Sequence, residues 1–144
     1  MGCSSLAPVT GRWDLHVEVH HGDGPYALLV HGILSSRAQW LPNLDAVRTV
    51  CRPVVVELWG HGRSPEPSDP EAYTPDAYVE AFDRVRRSLG VESWLIIGQS
   101  LGAALTLRYA LSHPERAIAQ VFTNSSSALA DEVWRTRMRG ARPG

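Results

Sequence analysis

The sequence predicts an α/β protein in which a mostly parallel sheet carries helices on both faces. Short apolar runs of strand length alternate along the chain with longer segments of helical periodicity. Most of these runs are continuously apolar, which is typical of strands covered on both faces. The 144 residues, of which 44% are hydrophobic and 20% charged, suffice for one globular domain with a core.

Five segments predict strands. The first, RWDLHVEVHHGDGP (12–25), alternates apolar and polar residues, which indicates a half-exposed strand that ends in a turn. Four apolar runs follow and predict buried strands: YALLVHG (26–32), RPVVVELWG (52–60), SWLIIG (93–98) and AIAQVFTN (117–124). Cys51, just before the second of these runs, is expected to be a small buried hydrophobic residue.

Helical patterns lie between the strands. Residues 37–47 favour one short helix, with Pro42 as a break or restart within it. The segment TPDAYVEAFDRVRRSLG (74–90) predicts a longer helix, with Thr74 as its N-cap and Gly90 just past its end. The apolar positions in this segment recur at helical spacing and predict one buried stripe: Tyr78, Phe82, Val85 and Leu89.

The pentapeptide Gly98-Gln99-Ser100-Leu101-Gly102 stands between a predicted strand and a predicted helix over 100–112, which Pro114 ends. This is the context that the G-x-S-x-G nucleophile elbow requires. A sharp strand-to-helix bend strains the serine backbone and lifts its hydroxyl clear of the sheet, while flanking glycines let neighbouring backbone pack closely. The alternative is a serine N-cap after an ordinary strand. We predict that Ser100 is a catalytic nucleophile.

The segment LLVHGILSSRAQW (28–40) is the second chemical feature. Its apolar strand ends at His31-Gly32, and a polar loop follows. The backbone N–H of Ile33 is predicted to form an oxyanion hole with the N–H of Leu101. Two aligned donors matter, because removing one of them typically lowers the rate by ~10²–10³. The His31 side chain is expected to have a structural role, hydrogen-bonded near the strand end.

The glycines of Gly60-His61-Gly62-Arg63-Ser64 are similar to the start of a dinucleotide-binding G-x-G-x-x-G motif. Pro65 occupies the third glycine position and no helix is predicted there, so no helix N-terminus meets a pyrophosphate. We therefore reject nucleotide binding. His61 either holds this loop together or lines a pocket, and the sequence leaves both open.

Taken in order, His31-Gly32, ELWGHGRS (57–64) and GQSLG (98–102) resemble the α/β-hydrolase superfamily over roughly residues 13–134. Members more often have Asp where Glu57 stands. The resemblance implies a small-molecule substrate, no cofactor and no metal. It also implies that Ser100 is the nucleophile and that the oxyanion amides are those of Ile33 and Leu101. The substrate pocket is implied at His31, Gly32 and Gln99. A serine at the elbow argues against epoxide hydrolases and haloalkane dehalogenases, which use aspartate there.

The family order of Ser, then acid, then His is not met in this chain. His113 is the only histidine after Ser100, and it precedes every later acid. We therefore expect one incomplete α/β-hydrolase domain over 1–144 that stops before the last strands. Residues 1–12 are expected to be a flexible N-terminus and 125–144 the start of a cap region. An uncovered sheet edge is expected to favour self-association.

Two functions remain open. One is a serine hydrolase acting on an ester or related acyl bond, although superfamily members also cleave C–C bonds or remove N-terminal residues from peptides. The other is a catalytically incomplete form that binds a ligand or partner without turnover. A net charge of −1 argues against nucleic-acid partners, and no apolar run approaches the ~20 residues that span a membrane. With two cysteines and no apolar signal segment, we expect a cytoplasmic protein.

Overall fold

A computed structural model of the chain describes residues 14–125 and the two-residue strand Ser4–Ser5. Its strands are β1 (Ser4–Ser5), β2 (His16–Val19), β3 (Tyr26–Val30), β4 (Arg52–Glu57), β5 (Trp94–Gln99) and β6 (Ala117–Thr123). Its α-helices are α1 (Leu44–Val47), α2 (Pro75–Ser88) and α3 (Leu101–Ser112). Short 3₁₀ turns cover Arg37–Gln39, Leu41–Asn43, Pro70–Tyr73 and Pro114–Arg116.

The strands form one sheet in the order β1-β2-β4-β3-β5-β6. β3 runs parallel to β4 and β5, and β6 runs parallel to β5. Among the described strands, the antiparallel pairs are β1 with β2 and β2 with β4. The predicted mostly parallel sheet is therefore confirmed. Because parallel strands point the same way, the loops after β3, β4 and β5 all leave from one edge of the sheet.

Helices cover both faces of the sheet, as predicted. On one face α2 and α3 bury a cluster that includes Leu28, Val54, Phe82, Trp94, Leu105 and Tyr109. On the other face α1 and its flanking turns cover a smaller cluster of Ala27, Leu29, Leu44, Cys51 and Val55. Cys51 is 1% exposed and packs as the small hydrophobic residue that the sequence indicates.

The helices follow the local signals. Thr74 caps α2, since its side chain accepts a hydrogen bond from the Ala77 N–H, and Tyr78, Phe82 and Val85 are buried. The predicted short helix over 37–47 is divided into two 3₁₀ turns and α1. Pro42 lies in the second turn, so its predicted effect as a break is confirmed.

Strand β2 departs from the simple alternation that the sequence predicts. Val17 and Val19 are only partly buried, whereas Glu18, expected on the exposed face, is 6% exposed. Its Oε1 atom lies 2.6 Å from Nε of Arg37, which reaches across from the loop after β3. Burial opposes ionisation of Glu18, but the Arg37 hydrogen bond and charge hold its pKa below the usual value. The ion pair is a long-range contact that strand periodicity does not encode.

Strand β6 lies at the edge of the sheet. Ile118 and Val121 on this strand are 52% and 50% exposed within the described residues. This arrangement supports the expected uncovered edge, and self-association through it stays a prediction. Ser4–Ser5 pair with β2, whereas the rest of the predicted N-terminal segment and the cap region from 126 onward lie outside the described residues. No helix in the described part has both the length and the apolar character to span a bilayer.

Two buried tyrosines predict a delayed alkaline titration. Burial raises the pKa of Tyr78 and of Tyr109 from 10 to about 12. A raised folded-state pKa contributes stability that is complete below pH 10 and is lost as the pH rises through about 12. We expect the phenolate absorbance of the folded chain to rise later than in urea, where all 4 tyrosines titrate near the ordinary value. Tyr109→Phe should remove one late transition, and an unchanged titration curve would contradict this assignment.

Candidate active site

Ser100 occupies a strained bend between β5 and α3. Its backbone has φ 51° and ψ −116°, a conformation that residues with a side chain rarely adopt. The Ser100 N–H donates to the Thr123 carbonyl at 3.0 Å, and its own carbonyl accepts from the Ala103 N–H at 3.0 Å. The strained residue is therefore hydrogen-bonded both to β6 and to the first turn of α3. The bend that a nucleophile elbow needs is present, and the catalytic role of Ser100 stays a prediction.

Glycines allow the backbone around Ser100 to pack closely. A Cβ atom on Gly102 would overlap the Val30 carbonyl and lie 2.6 Å from the His31 carbonyl oxygen. The start of α3 is therefore seated directly on the end of β3. A Cβ atom on Gly32 would lie 3.2 Å from Cβ of Ser100 and overlap the Gln99 side chain. Of the predicted site residues, the structure thus brings together Gly32, Gln99 and Ser100.

The two predicted oxyanion donors lie on either side of this contact. Leu101 is the first residue of α3, so its N–H has no acceptor within the helix and lies at the positive end of the helix dipole. Ile33 lies on the amide loop, our name for residues 32–37 after β3, and its side chain is 63% exposed. Within residues 14–125, neither N–H has a hydrogen-bond partner. Their role as oxyanion donors stays a prediction.

His31 has the structural role that the sequence favours. Its ring is fully buried, and Nε2 accepts a hydrogen bond from the Leu58 N–H at 3.0 Å. The ring proton therefore lies on Nδ1, which donates to the Gly32 carbonyl at 2.7 Å. Burial, with the nearby His61 ring, lowers the pKa of His31. Because Nε2 accepts a hydrogen bond, the ring is neutral in this arrangement. The whole residue is buried, with 0% of its surface exposed, and the prediction that His31 lines a substrate pocket stays a prediction.

His61 holds two loops together, which was one of its two open roles. It lies in the glycine loop, our name for residues 60–64 after β4. Nε2 of His61 accepts the Leu34 N–H at 3.1 Å, and Nδ1 lies 2.9 Å from the Trp59 carbonyl oxygen. The ring centroid is 5.2 Å from that of His31. The segment forms no helix, in agreement with the rejection of a dinucleotide site.

Glu57 begins the ELWGHGRS motif, and the structure gives it a role that the sequence analysis did not predict. The carboxylate, at the end of β4, is 2% exposed and accepts backbone N–H groups from Arg37 at 3.2 Å and Arg63 at 2.8 Å. Gly62 has φ 52°, and a Cβ atom there would overlap this carboxylate. Glu57 therefore ties the amide loop to the glycine loop. Its sequence signals are its place in the ELWGHGRS motif and its position as an acid at the end of an apolar run.

In the described part of the chain, no side chain that could act as a base forms a hydrogen bond with the Ser100 hydroxyl. All 6 histidines of the sequence fall within it, yet none forms a hydrogen bond with the Ser100 hydroxyl. His113 lies just past the end of α3 and 13 residues after Ser100, which places it about 20 Å away. His16 lies on β2, three strand spacings or about 14 Å from β5. Among the same residues, no group of three His, Cys, Asp or Glu side chains is arranged to hold a metal.

Comparisons with known proteins agree with this architecture. A family model described as alpha/beta hydrolase fold matches residues 28–142. The chain is 31% identical over 107 residues to a bovine (Bos taurus) (lyso)-N-acylphosphatidylethanolamine lipase, a match that covers 72% of this chain. Naproxen esterase from Bacillus subtilis superposes with a TM-score of 0.71 at 29% identity, covering 83% of this chain and 42% of that one. An epoxide hydrolase from Bacillus megaterium superposes with a TM-score of 0.73 at 26% identity, covering 78% of this chain and 39% of that one.

The parallel sheet, the strained serine bend and the helices on both faces define a hydrolase-type α/β fold. The match over residues 28–142 makes the assignment more specific, and the chain belongs to the alpha/beta hydrolase fold family. It spans 31% of the length of the bovine lipase, so its similarity concerns only one part of that enzyme.

Proposed function

We propose that the protein is a serine hydrolase that cleaves an ester or related acyl bond through an acyl-enzyme on Ser100. The observation that carries the proposal is the strained Ser100 backbone, with φ 51°, at the start of α3. Similarity to proteins named as a lipase and an esterase supports a carboxylic ester as the bond. Serine supports acyl chemistry over epoxide opening, since the family resemblance implies aspartate at this position in epoxide hydrolases.

The proposed reaction has two steps. The Ser100 oxygen attacks the acyl carbon, and the negative charge that develops on the carbonyl oxygen is stabilised by the amides of Ile33 and Leu101. The bond from the acyl carbon to the leaving oxygen then breaks, and the proton from the Ser100 hydroxyl goes through a base to the leaving alcohol. Water attacks the acyl-enzyme in the same way, which releases the acid and restores Ser100.

The base is assigned to a group outside residues 14–125, because no described side chain contacts the Ser100 hydroxyl. This same observation supports a second candidate function, binding of a ligand or partner without turnover. Without a base, a serine hydroxyl is a weak nucleophile near neutral pH. An oxyanion hole alone accelerates the reaction only ~10³–10⁴-fold over the rate in water. Steady turnover of p-nitrophenyl acetate that disappears in Ser100→Ala would exclude the binding-only function.

A fluorophosphonate probe tests the hydrolase proposal directly. We expect covalent labelling of Ser100 in a form of the protein that also supplies the base, and its loss to background in Ser100→Ala, because the probe reacts with activated serine hydroxyls. Ser112→Ala is the matched control, since Ser112 is exposed at the far end of α3 and should leave labelling unchanged. Equal labelling of that form and of its Ser100→Ala variant, or no labelling of either, would contradict the proposal.

A further inference from the structure

The orientation of the Ile33 amide depends on the peptide unit that joins Gly32 to Ile33. A planar trans peptide places its carbonyl oxygen and its N–H on opposite sides. The Gly32 carbonyl accepts the Nδ1 proton of His31 at 2.7 Å, so the Ile33 N–H points away from His31. One histidine therefore fixes the peptide unit before Ile33.

A second histidine fixes the peptide unit after Ile33. The Leu34 N–H donates to Nε2 of His61 at 3.1 Å. Leu34 has φ 56°, a left-handed conformation that is unfavourable for a side-chain-bearing residue and needs support from its surroundings. Its own side chain supplies little, since it is 93% exposed. The His61 acceptor is the one contact that holds the Leu34 amide among the described residues.

The His61 ring is itself held by the core. Because Nε2 accepts a backbone N–H, the ring is neutral and its proton lies on Nδ1, where it faces the Trp59 carbonyl at 2.9 Å. Trp59 is 3% exposed and stacks on Tyr78 of α2 with ring centroids 4.5 Å apart. A rigid path thus runs from α2 through the glycine loop to the residue next to Ile33.

We infer that His61 is a positioning residue that, together with His31, aims the Ile33 amide at the reacting carbonyl oxygen. The inference rests on the proposed hydrolase function. The two histidine rings form hydrogen bonds with two successive peptide units, one before and one after Ile33. The acceptor at Nε2, and not the bulk of the ring, is the group of His61 that carries the role.

Two substitutions separate the acceptor from the rest of the ring. In His61→Gln the terminal amide reaches the position of Nε2 and can accept the Leu34 N–H. In His61→Asn the shorter amide reaches only the position of Nδ1 and keeps the contact with the Trp59 carbonyl. We expect the second-order rate constant for fluorophosphonate labelling to fall about 10-fold or more in His61→Asn and to stay within about 3-fold in His61→Gln, since a lost oxyanion donor costs ~10²–10³.

Amide hydrogen exchange at Leu34 supplies a readout that needs no chemistry at Ser100. Exchange should be faster in His61→Asn than in the unaltered chain, and His61→Gln should restore slow exchange. Equal labelling rates in both variants, whether both retained or both lost, would overturn the positioning role, as would equal exchange at Leu34. Absence of labelling in the unaltered form that also supplies the base would instead overturn the hydrolase proposal, and the exchange comparison would still decide whether His61 holds Leu34.

Discussion

Replacing Asp83 with Ala is expected to lower the free energy of unfolding by about 3–5 kcal/mol, the usual cost of breaking a buried ion pair. The Asp83 residue is 7% exposed, and its carboxylate accepts the Tyr109 hydroxyl at 3.0 Å. It also pairs with Arg86 at 2.8 Å and with Arg116 at 2.9 Å. One carboxylate thus joins α2, α3 and the turn before β6. Without it, the Arg86 charge, 9% exposed, loses its buried partner.

Asp76→Ala is the matched control for this substitution. Asp76 is also on α2 and also pairs with an arginine, Arg108 at 2.9 Å, but their side chains are 74% and 54% exposed. Exposed pairs contribute about 0–1 kcal/mol. Urea unfolding monitored by tryptophan fluorescence compares the two variants. A loss in Asp83→Ala no larger than that in Asp76→Ala would show that the buried network does not stabilise the fold.

The same carboxylate predicts how stability depends on acid. Burial of Asp83 opposes its ionisation, but hydrogen bonds from Arg86 and Tyr109 lower its pKa below 3.8. A depressed folded-state pKa contributes stability that is present above pH 3.8 and is lost as the pH falls through the folded value. We expect the unfolding free energy to drop below about pH 4, and to drop less in Asp83→Asn. A drop of equal size in both proteins would contradict this assignment.

Gly102→Ala is expected to lower both stability and labelling of Ser100. The added methyl group would overlap the Val30 carbonyl and lie 2.6 Å from the His31 carbonyl oxygen. Both carbonyls are backbone, so no side-chain rotation can relieve the overlap. Overpacking of this kind costs about 1–3 kcal/mol. Relief requires α3 to move off β3, which displaces the Leu101 amide. Displacing an oxyanion donor should slow fluorophosphonate labelling by about 10²-fold.

The control for Gly102→Ala is Ala104→Ser, an exposed position on the same helix. It changes helix propensity by only about 0.5 kcal/mol and places no atom against β3. Thermal unfolding and labelling rates are measured for both variants. If Gly102→Ala labels as fast as Ala104→Ser, the close seating of α3 on β3 does not set the geometry at Ser100.

The elements of this fold were predictable because their signals are local. The apolar runs at 26–32 and 52–60 contain the two central strands, β3 and β4, and Thr74 and Gly90 bracket α2. The strained conformation of Ser100 was predictable as well, because a serine between two glycines at a strand-to-helix junction has few other arrangements. Such features depend on residues within a few positions of one another.

The supports of the site were not predictable because they join distant parts of the chain. Glu18 on β2 meets Arg37, and Glu57 on β4 binds the backbone of both the amide loop and the glycine loop. His61 contacts Leu34, 27 positions earlier in the chain. Periodicity predicts which residues face inward, but it does not predict which buried charge finds which partner.

We propose that a strained bend presents the Ser100 hydroxyl beside the backbone amides of Ile33 and Leu101. A crystal structure of the chain after reaction with a fluorophosphonate tests it most directly. We expect phosphorus bonded to the Ser100 oxygen, with one phosphonyl oxygen about 2.7–3.1 Å from the nitrogens of both Ile33 and Leu101. An adduct on another residue, or a phosphonyl oxygen directed away from both nitrogens, would contradict it.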